Sequence, residues 1–262
     1  MTQYNVEDEF YKRLKEINST KDFSREYEKR KMELNTRGLT YYLLDELNKN
    51  FPNKQLGNVL NLGGDLGLDL KIIKEAGFSS NKMYSIDYYI PKTKIPEVNY
   101  LEGNIYVILR NLTDIKFNLI IFKEVIEHLF DPDSILISIQ QLLAKDGVIF
   151  ISTPNKSSFF NRIMLLFGYL PLCDEVSTIK DVGKFGKYNF SEGCNGHIRT
   201  FTFKSLIELV TYHGYKIITA KSVPSDSFQK SRLLILFEKL ITKIDNKLGS
   251  SIILVVKKQS LS

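Results

Sequence analysis

Apolar residues recur at helical spacing through the first fifty positions. They fall at Phe10, Leu14 and Ile17 and, after a break near Ser19-Thr20, at Leu34, Leu39, Tyr42, Leu43 and Leu47. The pattern predicts N-terminal helices that stop at Phe51-Pro52-Asn53, since proline disfavours helix in the residue before it. From residue 57 the texture changes to short apolar runs. Asn58–Leu62, Lys82–Asp87, Val98–Leu101, Phe117–Phe122 and Gly147–Ser152 read as five strands. A helix is predicted from the Gly63-Gly64-Asp65-Leu66-Gly67 break to about Ala76. Another starts at Asp131-Pro132, an N-cap followed by proline at the first helical position. Thr202–His213 reads as helix, Tyr215–Ala220 as strand, Gln229–Leu248 as amphipathic helix and Ile252–Val256 as a last strand. Short apolar strands alternating with helices predict an α/β fold, a doubly wound and mostly parallel sheet covered on both faces. Residues 154–199 break the alternation with an apolar patch (Phe159, Phe160, Ile163 to Phe167) and a loop. The expected organisation is a helical extension over 1–56 and one domain over 57–257, with 154–199 as an insertion after strand five.

Composition narrows the class. At 262 residues, 43% hydrophobic and 25% charged, the chain is an ordinary globular one. The opening MTQYNVEDEFYKRLKEINST is polar, so no secretory signal is expected, and no run of eighteen apolar residues predicts a membrane span. Two cysteines, Cys173 and Cys194, exclude a disulfide scaffold, and no CxxC or Cys/His cluster supports a zinc finger. These features fit a cytoplasmic protein. The net charge of +6 is uneven: residues 215–262 carry 9 basic and 3 acidic residues, while 1–56 and 57–214 balance at +1 and −1. That distribution counts against a nucleic-acid partner. A basic C-terminal region suits peripheral contact with an anionic membrane, a phosphorylated substrate, or simply a solvated face.

Two places carry candidate chemistry. Gly63, Gly64 and Gly67 follow the first strand, and Asp87 ends the second strand 20 residues after Gly67. A glycine turn there lets a cofactor approach the backbone, and the carboxylate can accept bonds from ribose hydroxyls. Glu124, Glu127 and His128 stand at i, i+3 and i+4, which groups them on one face of a helical turn. Two carboxylates and an imidazole suit either a metal or a general base with an orienting acid.

Further motifs stand in a fixed order. Lys123-Glu124-Val125-Ile126-Glu127-His128-Leu129-Phe130-Asp131-Pro132 follows the fourth strand, and Ser152-Thr153-Pro154-Asn155 ends the fifth. His197-Ile198-Arg199-Thr200-Phe201-Thr202 then introduces a helix ending His213-Gly214-Tyr215. Over residues 57–257 this set resembles the class I S-adenosylmethionine-dependent methyltransferases. It looks most like the branch of ubiquinone-biosynthesis O-methyltransferases and glycan-cluster enzymes. The resemblance implies a seven-stranded Rossmann-like sheet with an antiparallel last strand, S-adenosylmethionine as cofactor, and 154–199 as a substrate lid. It places Asn61, Gly63, Gly64 and Gly67 at the methionine and ribose, and Asp87 on the ribose hydroxyls. Tyr88 would lie on the adenine, Gly103 and Asn104 at the adenine rim, and Lys123 and Glu124 across the site. Asn61 stands where the family usually has an acid, Asp65 where it has a glycine, and Asn104 where an Asp is common. Some relatives with the same segment add a later histidine and bind a divalent ion. By that analogy Glu124, Glu127, His128 and His197 would hold magnesium or manganese. In the metal-free alternative His128 is the base, Glu127 orients it, and His197 completes the catalytic group. His213 is read as structural.

The expected reaction is O-methylation of a small molecule, a lipid-linked intermediate or a sugar. The metal-like set also suits terminal 2′-O-methylation of RNA. The amides at Asn61 and Asn104 suit a catalytically weakened, cofactor-binding or regulatory protein. A nicotinamide dehydrogenase is disfavoured because Gly63 to Gly67 does not read GxGxxG.

Overall fold

The computed structural model describes residues 21–36, 38–185, 194–224 and 232–259; the expected helix through Phe10, Leu14 and Ile17 lies outside them. Two compact units emerge. The described part of the first comprises 21–36, 38–123, 131–150 and 257–259, and that of the second 124–130, 151–185, 194–224 and 232–256.

In the first unit the chain runs α1 (Phe23–Thr36), α2 (Leu39–Asn50), β1 (Asn58–Leu62), α3 (Leu68–Glu75), β2 (Lys82–Asp87), β3 (Val98–Glu102), α4 (Ile105–Asn111), β4 (Phe117–Lys123), α5 (Pro132–Leu142) and the first part of β5 (Leu143–Pro154). The apolar pattern from Leu34 to Leu47 is split between α1 and α2 at Gly38, whose extended backbone (φ −78, ψ −171) cannot continue a helix. Leu39, Leu43 and Leu47 form the buried face of α2. β1 and β4 are buried almost throughout, as their mainly apolar runs require. Burying each Leu, Ile or Phe is worth roughly 1.5–3 kcal/mol, so these two strands anchor the unit. α5 begins as expected: Asp131 accepts the Ser134 amide at 3.0 Å and Pro132 opens the first turn.

The second unit holds a 3₁₀ turn at Ile126–His128, the end of β5, α6 (Phe159–Leu166), α7 (Phe203–Tyr212), β6 (Tyr215–Val223), α8 (Arg232–Ile244) and most of β7 (Ser251–Lys258). α7 is set by a reciprocal cap, with Thr202 and Ser205 each serving the other's amide.

Seven strands form one sheet in the order β3-β2-β1-β4-β5-β7-β6, mostly parallel with an antiparallel pair at its edge. The order reverses between β1 and β4, the switch point beyond whose carboxyl ends such sheets bind ligands. Register levels those ends: Leu62 pairs with Ile86 on one side and Phe122 on the other. The Gly63 turn, Asp87 and Lys123 therefore leave the sheet at one edge.

Candidate functional site

The turn after β1 is built for close approach. Gly63 (φ 58) and Gly67 (φ 74) are left-handed, a conformation that glycine adopts without strain. A Cβ on Gly64 would fall 2.0 Å from Ser85 Oγ, and one on Gly67 would fall 2.7 Å from the Tyr100 hydroxyl. Asp65 also has a left-handed backbone (φ 48), as the family pattern of a glycine there implies. It is held there by its neighbours. Lys21 Nζ lies 2.8 Å from its carboxylate, Tyr89 donates its hydroxyl to the other oxygen, and the Asp65 amide donates to Asp87 Oδ2 at 2.8 Å. Asn61 and Ser85, paired across β1 and β2, are buried beside Gly64. Asn61 Nδ2 and Ser85 Oγ have no hydrogen-bond partner among the described residues. Buried donors without acceptors are rare, and a bound polar ligand is one physical reason for them.

Asp87 closes β2. Burial pushes its carboxyl up to about 6, against the pull of the Asp65 and Tyr88 amides. Each carboxylate oxygen accepts one backbone bond and keeps a second lone pair for a ligand hydroxyl. Gly103 has φ 140, and Asn104 caps α4 by accepting the Tyr106 amide at 2.9 Å. The amide oxygen of Asn104, expected at the adenine rim, is thus engaged as a helix cap. Tyr88 is half-buried next to Asp87, while the adjacent Tyr89 is the tyrosine that fastens the loop.

Lys123, expected across the site, ends β4. Its ammonium is buried, 2.7 Å from Asp69 Oδ1 and 3.3 Å from the Thr40 hydroxyl. Thr40 donates to Glu33, which also pairs with Arg30 at 3.0 Å. Burial drives the carboxyls of Glu33 and Asp69 up, but the Lys123 and Arg30 cations prevail and hold both below the ordinary range. Four ionised groups from α1, α3 and β4, bridged by Thr40 of α2, form one network inside the first unit.

In the second unit the chain turns at Glu124, a non-glycine residue at φ 55. Its amide donates to Ser152 O at 2.9 Å and its carboxylate accepts the Ser152 hydroxyl at 2.9 Å. Glu127 is fully buried. Oε2 accepts the Thr153 hydroxyl at 2.9 Å, and Oε1 has no partner among the described residues. Burial, with repulsion from Glu124, pushes the Glu127 carboxyl well up. Its backbone carbonyl accepts the amides of Ile198 and Arg199, which draws the 197–199 segment alongside. Arg199 fixes the same segment through the Phe130 carbonyl at 2.6 Å, and Glu175 accepts the amides of Asn195, Gly196 and His197.

His128 Nδ1 lies 3.0 Å from Gly196 O, and His197 Nδ1 lies 2.8 Å from Cys173 O. A carbonyl only accepts, so each neutral ring is assigned its proton at Nδ1 and its basic lone pair at Nε2. The two rings stand 5.0 Å apart. Burial pushes the His197 imidazole down, towards the neutral form. Ligand atoms of Glu127, His128 and His197 lie within 4.8 Å of one another, and Glu124 is not part of that group. The structure therefore gathers three of the four expected ligands. His213 ends α7 with its ring edge-on to Tyr212, outside the cluster.

A family model described as a methyltransferase domain matches residues 35–220. The chain belongs to this methyltransferase family. No curated protein matches its sequence. Solved structures share the methyltransferase's fold at low identity. An S-adenosylmethionine-dependent methyltransferase from Archaeoglobus fulgidus is 18% identical with a TM-score of 0.54, over 87% of this chain and 98% of that one. The plantazolicin methyltransferase BamL, crystallised with a triazolic desmethylPZN analog and SAH, is 15% identical with a TM-score of 0.54, over 90% of each chain. The N-methyltransferase NodS from Bradyrhizobium japonicum, in complex with SAH, is 11% identical with a TM-score of 0.51, over 96% of this chain and 99% of that one.

Several groups of the methyltransferase's site were missed in the sequence. Lys21 and Tyr89 hold Asp65, Asp69 pairs with Lys123, Thr153 bonds Glu127, and Glu175 gathers the 195–197 amides. Only the acid at Asp65, in a glycine's place, signalled that such partners were required.

Proposed function

We propose that the enzyme binds S-adenosylmethionine in the first unit and methylates the hydroxyl of a small molecule, a lipid-linked intermediate or a sugar. The observation that carries the reading is the left-handed glycine turn after β1 joined to Asp87 through the Asp65 amide. The orphaned Asn61 and Ser85 donors fit a polar ligand at that turn. Asp87 would accept the ribose hydroxyls, Gly63 to Gly67 would leave room for the methionine and ribose, and Tyr88, Gly103 and Asn104 would border the adenine. When bound, S-adenosylmethionine supplies a methyl group on a positively charged sulfur, already activated for in-line displacement. The protein's task is then alignment and removal of the hydroxyl proton. His128 is the base, taking that proton at Nε2 while Gly196 O holds its Nδ1 proton in place. Glu127 orients it, and His197 stays neutral beside it. The O-methyl choice rests on the resemblance of the Glu124–His128 segment. Calorimetry tests the cofactor assignment: SAH should bind and NAD should not, and the reverse preference would overturn it.

One observation favours a second reading, a divalent ion on Glu127, His128 and His197. Both Nδ1 atoms meet carbonyls, as metal-bound histidines ordinarily do, and a buried Glu127 oxygen has no partner among the described residues. Metal ligands sit about 3–3.5 Å apart, so donors within 4.8 Å need only side-chain adjustment. There the ion would lower the hydroxyl's pKa in place of a base.

A further inference from the structure

We propose that the face shared by α6 and α8 docks on an anionic lipid bilayer. The two helices meet through aromatic rings, with Phe237 of α8 lying 5.6 Å from Phe159 and 6.1 Å from Phe160 of α6. The Phe159 amide also donates to Leu248 O just beyond α8 at 2.9 Å. Outward from this joint the surface is apolar. Leu165, Leu166 and Phe167 end α6 exposed, the last two at 76% and 71%. On α8, Leu236, Phe237, Leu240 and Ile244 are exposed, Ile244 at 85%. Their spacing of i, i+1, i+4 and i+8 keeps them on one side of the helix. Glu238 and Ile241 take the inner side, where Glu238 accepts the Ser250 amide at 2.6 Å. Single exposed apolar residues are ordinary, but seven on two packed helices form a patch of the kind that marks an interaction surface.

Charge selects the occupant. Lys239 and Lys243 stand on α8, Lys247 follows it, and Arg162 stands exposed on α6. Glu238 is the only acidic residue of α8 and faces inward. Past the helix, Asp245 is turned to the Lys247 amide at 2.9 Å. Apolar side chains interleaved with lysines suit the headgroup region of an anionic leaflet, where the former enter the acyl boundary and the latter meet phosphates. A second copy of the chain fits less well, because a twofold contact through α8 would bring the same lysines face to face. Joined to the methyl-transfer reading, on which this last step rests, the surface selects a lipid-linked acceptor.

Cosedimentation of the full chain with vesicles tests the surface. Binding is expected to phosphatidylcholine vesicles containing phosphatidylglycerol, weakly to phosphatidylcholine alone, and less at high salt. Leu240→Glu with Ile244→Glu should weaken binding at least about tenfold. Lys239→Gln with Lys243→Gln should weaken it about fivefold per lysine while leaving the apolar contacts intact. The second pair decides the matter if the first lowers the melting temperature. Absence of binding to the anionic vesicles, or equal binding by wild type and both variants, overturns the proposal. So does a wild-type dimer that Leu240→Glu dissolves, since the face would then belong to a second copy. SAH affinity, measured on the same samples, should be unchanged, so a failure here is distinct from a failure of the cofactor assignment.

Discussion

Cofactor affinity should depend on pH through one identified carboxyl. Asp87 accepts the Asp65 and Tyr88 amides, yet burial raises its carboxyl to about 6. In the proposed site, ribose hydroxyls would donate to the ionised form, so affinity would follow the ionised fraction of the free protein. With a pKa near 6 that fraction is about 0.9 at pH 7 and about 0.09 at pH 5, so SAH should bind about tenfold more weakly at pH 5. Stability of the cofactor-free protein should run the other way. A raised carboxyl favours the folded state while protonated, so that contribution is complete below the unfolded value of 3.8 and is lost as pH rises through about 6. The shift corresponds to about 3 kcal/mol as an upper bound. The assay is calorimetric titration with SAH at pH 5, 6, 7 and 8, on wild type and on Asp87→Asn. The asparagine cannot ionise, so its affinity should be lower at pH 7 and flat between 5 and 7. A wild-type affinity that does not change, or an identical slope in Asp87→Asn, would refute the role given to this residue.

Gly67→Ala places a side chain at φ 74 and a Cβ 2.7 Å from the Tyr100 hydroxyl; a loss of about 1–3 kcal/mol is expected in urea unfolding, partly restored by Tyr100→Phe. Lys123→Met leaves the Asp69 and Glu33 carboxylates buried without their main cation, which should cost about 3–5 kcal/mol in the same measurement. A cost below about 1 kcal/mol would show that the network is not desolvated as described. His128→Ala should slow turnover by roughly 10²–10⁴ if the imidazole is a base, with no effect of a chelator on wild type. Loss of wild-type activity on chelation and its return with manganese would instead establish the ion on Glu127, His128 and His197.

The strands were legible because buried parallel strands are mainly apolar, and five of the six residues of Phe117–Phe122 and three of the five of Asn58–Leu62 are. Local chemistry also showed through: Asp131-Pro132 starts α5 and Thr202 caps α7 using partners only three residues away. What stayed hidden depends on pairs distant in sequence. Lys123 reads as a site residue until Asp69, 54 positions earlier, is found against it. Lys21 and Asp65 are 44 positions apart, and no periodicity announces the pair. Tyr88 and Tyr89 follow the end of β2, where strand alternation no longer tells which ring turns inward. The Glu127, His128 and His197 grouping was legible from the motif, but that Glu124 stands outside it and accepts the Ser152 hydroxyl, 28 positions on, was not.

The network around Lys123 bears on how the chain could be shortened or recombined. A cut before residue 57, which the change of texture in the sequence invites, would remove Glu33, Thr40 and Arg30 together. Lys123 and Asp69 would then have to neutralise each other alone, on a surface stripped of Leu39, Leu43 and Leu47. The helices before β1 thus behave as part of the catalytic domain's interior and not as a detachable module. A chimera that swaps this domain into another protein should carry residues from 21 onward, or replace Lys123 and Asp69 with a matched apolar pair.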